Sequence, residues 1–241
     1  MSQGAQGITD LARRFQMVRS RIEAAAQRCQ RSPDEITLVA VTKTHPPETL
    51  RRALSVGLKD LGENRIQEAE DKIVELGRDA ARWHLIGHLQ ANKARRAVKL
   101  FDVIHSVDSA ALAQRLDRLC ADEERAMLPV LLQVDLAKEE TKSGVDAIEL
   151  DELAQTVAGC ERLQLAGLMT VPPFFASPEE VRPFFKRLRG LRDTLQSKGC
   201  FGERSGELSM GMSHDFEIAI EEGATIVRIG TALFGEREAK Q

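Results

Sequence analysis

Short apolar, β-branched runs alternate along this chain with longer stretches in which apolar residues recur every three or four positions. The first pattern fits strands and the second amphipathic helices. The strands fall at about residues 36–43, 59–64, 82–88, 103–107, 129–135, 163–170, 206–212 and 225–230. Helices are expected at about 8–30, 47–57, 65–77, 92–100, 109–125, 148–159, 178–198 and 214–223, several of them followed by glycine. Strict β–α alternation implies parallel strands joined by helical crossovers. Eight such units after an extra N-terminal helix (8–30) predict an α/β fold, a (β/α)8 TIM barrel, forming a single domain over residues 1–241. A doubly wound dinucleotide fold would place glycines in the turn after the first strand. That turn reads Thr42-Lys43-Thr44-His45-Pro46-Pro47, and no GxxxxGK[ST] loop occurs elsewhere.

Composition narrows the partners. With 42% hydrophobic and 29% charged residues, the 241-residue chain can bury a large core. Its 34 basic and 37 acidic side chains give a net charge of −3, which provides no broad basic field for nucleic acid. The pairs Arg51-Arg52 and Arg95-Arg96 lie in helical patterns and read as solvated outer faces. Cys29, Cys120, Cys160 and Cys200 are scattered, without the spacing of a disulfide framework or metal site. No run approaches the roughly 20 apolar residues that span a bilayer. These features predict a cytoplasmic protein with neither nucleic-acid nor membrane partners.

The candidate chemistry gathers at the strand ends. Lys43 closes the run Ile36–Thr42 and is followed by prolines, so its amine is presented at the mouth of the sheet. An amine among apolar neighbours loses hydration, which disfavours the charged form and suits a Schiff-base nucleophile. In a closed barrel the first and last strands are neighbours, bringing Arg228 beside Lys43. Ile226, Arg228 and Gly230 share the inward face by the two-residue period, and an inward arginine needs a carboxylate partner or a ligand. Barrels often hold phosphate with the loops after strands seven and eight. Here those loops are Ser209-Met210-Gly211-Met212-Ser213, with Ser213 expected as N-cap of the helix 215–223, and Gly230-Thr231. Ser213 could equally be a plain cap and Gly230 a packing residue. Ser213-His214-Asp215 cannot form a catalytic triad, since consecutive residues at a helix start point in different directions. Trp83 and His84 point to opposite faces of strand three, leaving His84 open as a barrel hydrogen-bonding residue or a ligand neighbour. Lys142-Ser143-Gly144 reads as a polar loop with a turn glycine.

Taken in order, the segments VAVTKTHP, LGENRIQE, WHLIGHLQANK, SVDS, ETKSGV, GLMTV, LSMGMSHDFEIAI and VRIGTALFG resemble the pyridoxal-phosphate homeostasis protein family. These are fold-type III barrels related to the barrel domain of alanine racemase, and the resemblance covers about residues 8–235. It implies that Lys43 carries pyridoxal 5′-phosphate as an internal aldimine and that Ser209, Ser213, Gly230 and Thr231 hold the phosphate. It also implies that Arg228 approaches the pyridine nitrogen, with Asn64 and Met210 as further cofactor-side residues.

The chain contains no tyrosine. The related racemases use a tyrosine from a second domain as the opposing base, and an arginine at the ring nitrogen weakens the ring as an electron sink. The expected function is therefore binding, buffering or delivery of pyridoxal phosphate by a monomer, with apo pyridoxal-phosphate enzymes as recipients and no robust catalysis. An amino-acid racemase-like enzyme and a cofactor-free Schiff-base aldolase are the alternatives.

Overall fold

The computed structural model describes residues 3–137 and 143–235. Helix α1 (Gln3–Arg28) precedes the barrel. There follow β1 (Thr37–Val41), α2 (Pro47–Ser55), β2 (Asp60–Glu63), α3 (Ile66–Leu76), β3 (Arg82–Leu85), α4 (Ala94–Leu100), β4 (Val103–Val107), α5 (Ala110–Asp122) and β5 (Leu128–Asp135). The second half adds β6 (Val145–Asp146), α6 (Leu150–Ala158), β7 (Leu163–Met169), α7 (Arg182–Ser197), β8 (Glu207–Ser209), α8 (Phe216–Glu221), β9 (Ile226–Ile229) and α9 (Thr231–Phe234). Among the described residues every strand pairing is parallel. The order β4-β3-β2-β1-β9-β8-β7-β5 closes through a β4–β5 pairing into the expected eight-stranded barrel, with the two-residue β6 appended to β5.

The eight predicted strands are all present, each within a few residues of its expected limits. Differences concentrate where segments are too short for a period to show. Strand β6 and helix α9 are additional, and the helix expected over 178–198 divides into a 3-10 turn (Pro178–Val181) and α7.

Two apolar layers hold the barrel. Outward-facing Leu38, Ala40, Leu61 and Trp83 pack against the helices in the main core, which α1 joins through Leu11, Val18, Ile22 and Ala25. Inside, Val39, Val103, Leu131, Met169 and Ile226 form a small separate plug toward the N-terminal ends of the strands. This plug leaves the C-terminal mouth for polar groups. Arg51 and Arg52 pair with Glu75 and Glu48, while Arg95 and Arg96 pair with Glu123 and Glu70, all on the outer faces of helices as expected. Among the described residues, no helix is long and apolar enough to cross a membrane.

Candidate functional site

Strand β1 ends at Val41, and α2 starts at Pro47, whose ring fixes φ near the helical value, with Pro46 extended at the N-cap position. The intervening turn puts half-buried Lys43 on the wall of a cavity of about 300 Å³ at the C-terminal mouth. Asn64, Ser213, Arg228, Gly230 and Thr231 line the same cavity. The register explains why: Val39 pairs with Arg228 across β1 and β9, so Arg228 lies about two residues deeper than the Val41–Gly230 level and Lys43 two residues above it. Sequence reasoning did not single out Val41, Ile86, Val171, Phe174 and Met212, which supply apolar wall. Their position at or within a few residues after strand ends was the available signal.

Ser209 and Met210 do not line this cavity. Ser209 lies fully buried beneath it, at the end of β8, and Met210 is part of the apolar core. Ser213 also differs from its expected role as a cap. Helix α8 begins at Phe216 with Asp215 at the N-cap position, and Asp215 Oδ1 accepts the N–H of Met212 at 2.6 Å. Ser213 Oγ instead accepts the N–H groups of Gly230 and Ala232, both at 3.2 Å. The intervening glycine forces this geometry: Gly211 has φ +91°, and a Cβ there would lie 2.6 Å from that of Ala219. The turn after β8 is thereby folded back onto the start of α9, which joins the two loops into one cradle of hydroxyl and amide groups.

Arg228 is buried, and among the described residues it has no carboxylate at ion-pair distance. Its Nη1 donates to Ser209 Oγ at 2.8 Å and its Nη2 to the Thr170 carbonyl at 2.8 Å. Burial pushes its pKa down to about 10, opposed by the charge of Asp215, so the guanidinium is charged at neutral pH. Beneath it runs a continuous hydrogen-bonded chain. Ser209 Oγ lies 2.9 Å from His105 Nδ1, His105 Nε2 lies 2.9 Å from His84 Nδ1, and His84 Nε2 lies 2.9 Å from Asp60 Oδ1. The Asp60 carboxylate only accepts, so with neutral rings the direction is set from that end, and the Ser209 hydroxyl can accept from Arg228 while donating onward. With both rings neutral, as their burial favours, each carries its proton on Nε2 and Ser209 donates to His105. Burial holds both histidines below the ordinary imidazole range, His105 further than His84. His84 is therefore a barrel hydrogen-bonding residue that does not line the upper cavity. It faces a second cavity at the N-terminal end of the barrel, beside Arg82 and Ile226.

His214 stacks against exposed Phe174 at the cavity rim, with ring centroids 5.3 Å apart, and is not aligned with Ser213 and Asp215 as a triad. Lys142 lies outside the described residues.

Residues 15–238 match the family model described as alanine racemase, N-terminal domain. The chain is 44% identical over 225 residues to the pyridoxal phosphate homeostasis protein of Aquifex aeolicus, covering 93% of this chain and 97% of that one. It is 43% identical over 237 residues to the protein of the same name from Escherichia coli K12, covering 96% and 98%. Among solved structures, PipY of Synechococcus elongatus with PLP bound superposes with a TM-score of 0.82 at 38% identity, covering 93% of this chain and all of that chain. Alanine racemase of Clostridium difficile superposes with a TM-score of 0.71 at 17% identity, covering 96% of this chain and 58% of that one, a likeness of fold.

Proposed function

The chain belongs to the pyridoxal phosphate homeostasis protein family, built on the barrel of the alanine racemase N-terminal domain, and from that membership we propose that it binds pyridoxal 5′-phosphate through Lys43 and buffers or delivers it without turning over a substrate. The observation that carries this reading is the convergence of an amine, a buried guanidinium and a two-loop cradle on one cavity. When bound, this cofactor supplies a reactive aldehyde and an electron-withdrawing ring. The residues present fit its three chemical handles.

Lys43, on the cavity wall, would hold the aldehyde end, its amine being the nucleophile that such a carbonyl can take. Ser213, Gly230 and Thr231 meet the phosphate. The Gly230 and Ala232 N–H groups, already directed at one oxygen, would be available to an anion once the Ser213 side chain rotates its oxygen off them, leaving its hydroxyl to donate as well. Arg228 meets the ring nitrogen as a permanent donor, its other donors being held by Ser209 and Thr170. A donor there keeps the nitrogen unprotonated, and the chain has no tyrosine to serve as a second base, so Arg228 and the composition both favour carriage over carbanion chemistry. Asn64 lines the same cavity, while Ser209 and Met210 act from behind it, Ser209 by bracing Arg228. Apo pyridoxal-phosphate enzymes are the recipients in this reading, and the chain acts as a cytoplasmic, monomeric, single-domain barrel.

The test is the visible spectrum of purified protein before and after borohydride. A yellow protein that bleaches on reduction, with the label on Lys43 by mass mapping and none in Lys43→Ala, is the expected result. A colourless protein that takes up no added pyridoxal phosphate, or a label on another lysine, overturns the reading.

A further inference from the structure

Helix α3 and the end of β2 grip the backbone on both sides of Lys43. On the N-terminal side, Lys72 Nζ donates to the carbonyl of Thr42 at 2.8 Å and to Glu63 Oε1 at 2.6 Å. The same Glu63 oxygen accepts the Thr42 hydroxyl at 2.5 Å, and all three side chains are buried. On the C-terminal side, one helical turn earlier in α3, Glu68 Oε2 accepts the N–H of Thr44 at 3.1 Å. Thr44 has φ +67°, a left-handed conformation that a β-branched residue avoids. Such strain persists where the surroundings over-determine it, and it gathers at functional sites.

The buried Lys72–Glu63 pair is not explained by stability. A buried ion pair loses to its desolvation much of what it gains by attraction, and well-packed apolar side chains commonly serve a core at least as well. Glu63 Oε2 has no hydrogen-bond partner, which adds to the cost, and burial pushes the Glu63 carboxyl up despite Lys72. What the pair does accomplish is to fix the hydroxyl and carbonyl of the residue before Lys43. Glu68 does the same for the amide of the residue after it.

We propose that Glu63, Lys72 and Glu68 are positioning residues for Lys43: by clamping Thr42 and Thr44 they set the direction in which the Lys43 side chain leaves the backbone, aiming its amine into the cavity before a ligand binds. The proposal rests on the cofactor reading for the identity of the aldehyde, whereas the clamp itself acts on the ligand-free chain. A fixed nucleophile lowers the barrier to attack on a bound carbonyl and does little for contacts at the phosphate. The clamp should therefore appear in covalent capture and not in non-covalent affinity.

The experiment compares wild type, Glu68→Ala, Glu68→Gln and the doubly apolar Glu63→Leu/Lys72→Met with two ligands. Pyridoxal 5′-phosphate reports imine formation by its visible band and borohydride trapping. Pyridoxine 5′-phosphate, which has no aldehyde, reports non-covalent binding. Imine formation should slow by about tenfold or more in Glu68→Ala and in the double variant, as expected for a reacting group displaced by a fraction of an ångström. Affinity for pyridoxine 5′-phosphate should hold, and Glu68→Gln, which keeps an acceptor for Thr44, should restore capture. Equal losses for both ligands, or no loss in either variant, would overturn the proposal. If wild type captures no pyridoxal phosphate, the cofactor reading fails and the clamp is decided by amide exchange in the ligand-free protein. Exchange at Thr44 should then accelerate selectively in Glu68→Ala while the β1 amides hold, and unchanged exchange at Thr44 refutes the clamp.

Discussion

Ser213 Oγ lies 3.2 Å from the backbone nitrogen of Gly230, so a single hydroxyl ties the turn after β8 to the turn after β9. Ser213→Ala should weaken binding of pyridoxal 5′-phosphate about tenfold to a hundredfold, because a hydrogen bond to a charged group contributes about 1.5–3 kcal/mol. Free pyridoxal should lose much less. Fluorescence titration of both ligands measures the difference, and equal losses would leave Ser213 only a brace between the loops.

Gly87 follows β3 and lies against the chain that carries Asn64. A Cβ at Gly87 would sit 2.3 Å from the Asn64 carbonyl oxygen and 2.7 Å from its Cα, so backbone has to move. Gly87→Ala should destabilise the protein by about 1–3 kcal/mol, the usual range for overpacking, and shift Asn64 on the cavity wall. Urea unfolding together with cofactor titration checks this. Unchanged stability would show that the β3–α4 loop yields freely.

The histidine chain makes a prediction about acid. Burial lowers the pKa of both His84 and His105 in the folded protein relative to the ordinary value of 6.5. Below about pH 6.5 the unfolded chain binds more protons than the folded one, so the stabilising contribution is complete above that pH and is lost as pH falls toward the folded pKa values. Each imidazole contributes a slope of up to about 1.4 kcal/mol per pH unit. Glu63, whose carboxyl is pushed up, acts with the opposite sign, so the imidazole part is isolated by comparing wild type with His105→Gln. Urea midpoints from pH 7.5 to 5 should fall more steeply in wild type. Nitrogen-15 spectra at pH 6.5 should show both rings predominantly neutral and protonated at Nε2. An Nδ1–H tautomer at His105 would break the assigned direction of the chain.

Carriage and catalysis separate in one pair of assays. Protein loaded with pyridoxal phosphate should restore activity to an apo pyridoxal-phosphate enzyme. Deuterium should not enter the α-position of alanine or other amino acids faster than free cofactor allows, since the opposing face has no tyrosine base. Rapid α-exchange that disappears in Lys43→Ala would identify an enzyme instead.

Much of this protein is legible in the chain itself. The alternation of period-two and period-3.6 runs identifies eight strands and their parallel order, because each strand or helix signal is local and the crossovers follow from it. Closure then puts Lys43 and Arg228 on one cavity with no further information, since the first and last strands of a barrel are neighbours. What the tertiary structure alone decides is which polar groups meet. Ser213 reaches amides 17 and 19 residues away instead of capping its own helix, and Ser209 meets His105 across 104 residues instead of facing the cavity. Lys72 and Glu68 reach back 30 and 24 residues to hold the turn around Lys43. Hydrophobic periodicity encodes which face of an element is buried, whereas a hydrogen bond depends on ångström-scale distances between elements. Those distances are set by packing of the whole barrel and leave no periodic trace in the order of its residues.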